Sequence, residues 1–267
     1  MPGASIFDIS WLDTISTRSS PIHRLDPRVK VLTTLSFIVF VLSFGKYEVT
    51  RLLPYMIYPA ALIALGDLPA GRIAKKVLIA APFAFFIGVL NPLFDREVLV
   101  HIGPVGLSGG VVSFASIMIR FALTVSAVLI LIATTGFNAV CTGLGKLGAP
   151  DALVVQLLFL YRYLFVLGDE AGRMARARSM RSFGKKGFGL KVFTHMAGQL
   201  LLRTLDRAQR IHLAMLSRGF DGKIRLARPL RISGAGLLYF SGWTALFTLL
   251  RLYDFPGWIG GALIGIF

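Results

Sequence analysis

Five stretches of this 267-residue chain are nearly continuous runs of apolar side chains, at 29–44, 52–65, 77–93, 111–137 and 232–250. Runs of this kind predict membrane-spanning helices. A crossing needs about 20 residues, so the shorter runs must stand upright or borrow flanking residues inside a bundle. Pro54 and Pro59 fall near one end of the second run, and Pro82 and Pro92 predict kinks in the third. The fourth contains a cation, Arg120, about 14 Å in at 1.5 Å per residue. It reads as a residue snorkelling to the outer interface, with contact to another membrane subunit as the alternative. The tail 255–267 is too short to cross alone. Ile6, Phe7, Ile9, Leu12 and Ile15 predict one side of a short interfacial helix. The N-terminus lacks the cationic start and long apolar core of a signal peptide.

Hydropathy alone would let a further segment, 152–168, cross, but charge argues otherwise. Residues 146–231 hold 17 of the 29 basic and 5 of the 13 acidic residues, a local net charge of +12 out of +16. Cations are retained on the cytoplasmic side. With basic linkers at 18–30 and 72–76 also inside, parity puts the basic region inside only if 152–168 stays beneath the membrane. The expected fold class is therefore all-α, a polytopic membrane protein with about five transmembrane helices and a helical cytoplasmic domain. Its segments are 1–28 (N-terminal cytoplasmic or interfacial), 29–137 (four spans), 138–231 (cytoplasmic domain) and 232–267 (fifth span and apolar tail).

Composition supports this class. Charged residues are 16% and hydrophobic ones 55%, against roughly 25% charged in soluble domains. Cys141 is the only cysteine, so no intrachain disulfide can form.

Two helices are predicted in the basic region, one ending near Gly184 and one running from about Leu190 to Gly219, each with cations in the last turn and glycine beyond. Arg173, Arg176, Arg178 and Arg181 sit on the first. Arg203, Arg207, Arg210 and Arg218 keep near one face of the second. The bland reading is a solvated basic face beside anionic headgroups. The sharper reading rests on two small-Arg-small triplets, Ala177-Arg178-Ser179 and Ser217-Arg218-Gly219, one at the end of each helix. Small neighbours admit close approach, and the guanidinium offers a fork of donors. Two such tips would fit two equivalent pockets of a dimeric partner, with Arg173, Arg181, Arg207 and Arg210 as the supporting basic face.

Three stretches carry a family resemblance: SSPIHRLDPRVKVL at 19–32, ARARSMRSFG at 175–184 and RAQRIHLAMLSRGFDG at 207–222. In this order they resemble the transmembrane coupling subunit, or T component, of energy-coupling factor transporters, and within that family the cobalt/nickel-type CbiQ subunit. The resemblance implies an inner-membrane protein with its N-terminus in the cytoplasm. It implies that the two triplets dock onto two ABC-type ATPase subunits, which bind the ATP. The imported cobalt or nickel is then captured by a separate membrane subunit, the S component, while this chain binds no cofactor and no metal. A T component for another substrate, such as a vitamin, is the alternative. Here the second triplet begins with Ser where Ala is common in the family.

Other chemistries lack their residues. No G-x-x-x-x-G-K-[ST] is present, and GLGKLGAP at 143–150 does not have phosphate-loop spacing. The chain is expected not to be an enzyme. His23, His101, His195 and His212 show no zinc spacing. His23 reads as a cap or docking residue, with Asp26 and Pro27 opening the next helix. Acidic residues are missing from the five runs, which disfavours a stand-alone cation carrier. No D-x-x-D motif points to a lipid enzyme. The basic residues lie where topology would put them, so nucleic acid is not expected as a partner; membrane lipid is.

Overall fold

The structure, a computed structural model, describes residues 15–16, 20–94, 98–102, 105–181, 189–223 and 233–253. It is that of an all-α polytopic membrane protein with one small β-hairpin. The chain divides into two compact units, Met1–Gly143 with Leu230–Phe267, and Leu144–Pro229.

In the first unit, α1 (Pro27–Leu42) is followed by a broken passage: α2 (Val49–Leu52), a 3₁₀ turn (Leu53–Met56) and α3 (Ile57–Leu65). Pro54 lacks the donor that a continuous α-helix needs, and the break falls at that turn. Next comes α4 (Ala70–Gly88), which contains Pro82. It starts seven residues before the expected run, because Pro69 sets its N-terminus and Arg72, Lys75 and Lys76 join its first turns. The short α5 (Asn91–Phe94) leads to β1 (Val98–Ile102) and β2 (Val105–Ser108), an antiparallel pair. Then come α6 (Gly109–Thr135) and α7 (Phe137–Lys146), and, after the second unit, α10 (Gly234–Leu252).

The core of the first unit is aromatic. Phe37 of α1 stacks on Tyr58 of α3 at 4.5 Å, and Trp243 of α10 meets Tyr58 edge-on at 4.9 Å. The Tyr55 hydroxyl donates to the Phe247 carbonyl at 2.9 Å. Ala127 and Ala133 bring α6 against these rings without bulk, and both are fully buried. Gly88 lets α4 approach α6: a Cβ there would lie 2.8 Å from Phe114.

Each end of this unit has its own polar fastening. At one end Asp26 caps α1 by accepting from the Arg28 amide at 2.9 Å, and Pro27 takes the first turn. The buried Lys30 ammonium donates to the Thr134 carbonyl at 3.0 Å, where a cation suits the C-terminus of α6. Gly236 at the start of α10 faces Val29. So α6 leaves and α10 returns at the same end, beside the start of α1. At the other end Arg120 donates to the Gly45 carbonyl. Arg251 donates to the Ser43 carbonyl at 3.2 Å, lies over the Phe44 ring and reaches Glu48 at 3.8 Å. Arg120 is thus held by the loop after α1.

Among the described residues, three helices are long and apolar enough to cross a membrane: Gly109–Thr135, Asp151–Arg181 and Gly234–Leu252; Val49–Leu65 is a shorter apolar segment. The expected run at 29–44 is helical through Leu42 in α1, and that at 77–93 is helical in α4 and α5 with a break at 89–90. Residues 152–168, expected beneath the membrane, form the first half of one helix that meets the length and hydropathy of a span. Of the interfacial helix expected over Ile6–Ile15, Ile15 is described and helical; the rest, and the tail 255–267, lie outside the described residues.

Candidate functional site: two pinned helices with arginine tips

The second unit is built on α8 (Asp151–Arg181) and α9 (Leu190–Leu216), of 31 and 27 residues. The turn before them explains GLGKLGAP. Ala149 N–H donates to the Leu144 carbonyl and Gly148 N–H to the Gly145 carbonyl. Gly148 sits at φ +107. This pairing is the glycine-dependent stop of a helix, and Pro150 with Asp151 then opens α8.

Two ion pairs set the direction of the helices. Lys223 reaches Asp151 at 3.4 Å, beyond the end of α9 and at the start of α8. Further along, Glu170 of α8 accepts from Arg203 of α9 at 2.8 Å and from Arg173 of its own helix. The low end of α8 meets the high end of α9, so the pair is antiparallel. Hydrogen bonds from Arg173 and then Arg203 hold the Glu170 carboxyl below the usual carboxylate range. The same bond to Glu170 raises Arg173 above the ordinary arginine value. Both effects follow from donors that favour the charged carboxylate.

The two triplets end up far apart. Arg178 lies about 12 Å beyond the Glu170 pin along α8, and Arg218 about 22 Å beyond Arg203 along α9, at 1.5 Å per residue. In an antiparallel pair those displacements have opposite directions. Ala177, Arg178 and Ser179 are inside the last turns of α8, where the Ser179 hydroxyl donates to the Arg176 carbonyl at 2.7 Å. Arg178 is half-buried, while Ala177 and Ser179 are exposed. Ser217, Arg218 and Gly219 follow α9 and are exposed. There the Phe220 amide donates to Met215 O and the Gly219 amide to Leu216 O, with Gly219 at φ +78. The SRGF sequence is thus a helix-closing turn that presents Arg218 and folds Phe220 back. The stop expected near Gly184 lies outside the described residues.

The supporting face is less uniform than expected. Arg173 is engaged by Glu170, Arg207 lines a groove between the helices, and Arg181 and Arg210 are exposed. Asp26, not His23, caps α1; His23 shares a 2.7 Å hydrogen bond with Ser20 in the preceding turn. Sequence reasoning passed over Glu170 and Lys30. The only available signal was an acid among arginines for the first, and a cation at the start of an apolar run for the second. Among the described residues, His, Cys, Asp and Glu form no group of three or more suited to a metal ion.

The family model for the cobalt transport protein CbiQ matches residues 18–228. The chain belongs to the CbiQ cobalt transport protein family. A relative from Thermanaerovibrio acidaminovorans, the energy-coupling factor transporter transmembrane protein EcfT, is 28% identical over 250 residues, covering 82% of this chain and 92% of that protein. The EcfT of Listeria innocua is 26% identical, over 76% of this chain and 82% of its own length. The cobalt transport protein CbiQ of Rhodobacter capsulatus is 29% identical over 132 residues, covering 48% of this chain and 54% of that protein. This CbiQ-family chain is the membrane component of a transport system.

Proposed function

We propose that this chain is the T component of an ATP-driven energy-coupling factor importer of cobalt or nickel. Two ABC-type ATPase subunits bind and hydrolyse ATP. Arg178 docks in a groove of one and Arg218 in a groove of the other. Residues 138–231 form the cytoplasmic coupling domain, on the same side as the N-terminus. Closure of the ATPases moves the two tips, and α8 and α9 pass the motion to a separate S component that captures the metal. The chain itself binds neither ATP nor the cargo.

The observation that carries this reading is the antiparallel α8–α9 pair with an arginine at each far end. One partner pocket cannot take both tips, whereas two equivalent subunits can. The return of α10 beside the start of α1 supports a common side for the N-terminus and the inserted unit. Membership in a family of cobalt transport proteins supports cobalt as cargo.

The test is co-purification of ATPase subunits with the chain carrying Arg178→Glu and Arg218→Glu. Truncating one partner of a buried charged contact costs about 2–5 kcal/mol. The double variant should lose the ATPases and metal uptake while still inserting normally. Lys146→Glu with Lys191→Glu, the same two charge reversals at exposed positions of that unit, should keep both. Equal losses in the two would reduce the unit to a charged surface.

A further inference from the structure

The two polar fastenings of the first unit lie closer together than a bilayer is thick. Arg120 and Thr134 are 14 residues apart along α6, about 21 Å at the helical rise. The hydrocarbon core measures about 30 Å. With the Lys30–Thr134 end at one interface, the Arg120 end therefore stops about 9 Å short of the other. α1 has 16 residues, about 24 Å, and falls short in the same way.

Charge concentrates at this short end. Arg120 donates to the Gly45 carbonyl, and Arg251 to the Ser43 carbonyl at 3.2 Å. Glu48 accepts from Arg51 at 3.3 Å and lies 3.8 Å from Arg251. With Lys46, four cations meet one carboxylate around the loop 43–48 among the described residues; the charged residues of 95–97 and Asp254 lie outside them. A guanidinium at hydrocarbon depth is costly, so the bilayer must thin and bring headgroups down to it. Tyr47 and Tyr253 are exposed beside this loop and at the end of α10, as suits side chains at headgroup level. We propose that Arg120 and Arg251 hold the phosphate of one anionic phospholipid at this end of the unit.

The donors for a phosphate are present. A guanidinium has five N–H groups, and Arg120 and Arg251 each give one to a loop carbonyl. The Arg120 Nε is buried and meets no acceptor among the described residues, a state that folded proteins seldom leave uncorrected. A phosphate takes such a donor together with its neighbour as a fork. Leu42 and Leu252, next in sequence to Ser43 and Arg251, are exposed and offer apolar surface to the acyl chains. This site is separate from the two arginine tips and independent of ATPase docking, and the depth argument stands whichever leaflet this end meets.

The test uses the full-length chain in mild detergent, given dioleoyl phosphatidylglycerol and dioleoyl phosphatidylcholine in equal amounts before native mass spectrometry. One retained phospholipid is expected, with phosphatidylglycerol favoured roughly thirtyfold, as for two basic residues at an anionic surface. Arg120→Gln should lower the ratio to about fivefold, and Arg120→Gln with Arg251→Gln to near one. Lys191→Gln with Arg210→Gln, the same loss of charge at exposed positions of the second unit, should leave it unchanged. A second measurement needs no variant: in nanodiscs, phosphatidylglycerol should shield Arg251 from phenylglyoxal severalfold relative to phosphatidylcholine, while Arg210 reacts alike in both. Equal reactivity of Arg251 in the two lipids, or no headgroup preference in the parent chain, would overturn the proposal. So would loss of that preference in excess inorganic phosphate at constant ionic strength, which would assign the arginines to a free anion.

Discussion

Glu170 and Arg203, 33 residues apart in sequence, meet at 2.8 Å and fasten α8 to α9. Arg173 holds the same carboxylate from within α8. Together with the Lys223–Asp151 pair at the other end, this acidic side chain sets how the two long helices lie and where their tips fall.

Glu170→Gln is expected to loosen the pair. Spin labels at Ser179→Cys and Ser217→Cys, with Cys141 replaced, should give a broader distance distribution than in the parent. Acid should do the same to the parent. Because the folded Glu170 carboxyl lies below its ordinary value, near 4.3 when unfolded, its contribution is complete at neutral pH. It is lost as the pH falls through the lower folded value. The distribution should therefore be unchanged between pH 8 and 6, and broaden only in strong acid.

Lys30→Met should destabilise the first unit. It leaves the Thr134 carbonyl buried without its donor, at a cost of about 1–3 kcal/mol. That corresponds to a fall in melting temperature of roughly 2–4 °C per kcal/mol in a domain of 150–250 residues. Thermal unfolding in detergent measures it. An unchanged midpoint would mean that the Lys30–Thr134 contact contributes nothing.

Gly219→Val should weaken ATPase co-purification without touching Arg218. At φ +78 a β-branched residue is strained by about 1–2 kcal/mol, so the turn that aims Arg218 opens. Gly198→Ala, within α9 and with open space around it, should leave association intact.

Gly88→Ala should lower stability, since the new methyl meets Phe114 at 2.8 Å. Phe114→Leu in the same chain should recover part of the loss. Additive losses in the double variant would show that the two positions do not press on each other.

Single cysteines at Thr194 and Lys46, in a Cys141-free background, test orientation. An impermeant maleimide applied to intact cells should label Lys46→Cys and spare Thr194→Cys. The reverse pattern would invert the proposed topology.

Much was legible along the chain because it is local. Long apolar runs, the cations concentrated between 146 and 231, and the stop signal Gly219 each act over a few residues. The triplets were readable as motifs for the same reason. The register between distant segments was not. Lys30 finds Thr134 across 104 residues and Arg251 finds Ser43 across 208. Such contacts depend on how helices rotate and cross, which hydropathy does not encode. The hairpin at Val98–Ser108 escaped notice for a related reason: its strands are short and pair only with each other. Hydropathy and charge along the chain were enough to mark a membrane protein of apolar helices with a basic insertion. That the insertion is an antiparallel pair pinned by Glu170 emerged with packing, because a side-chain pair across two helices exists only once both are packed.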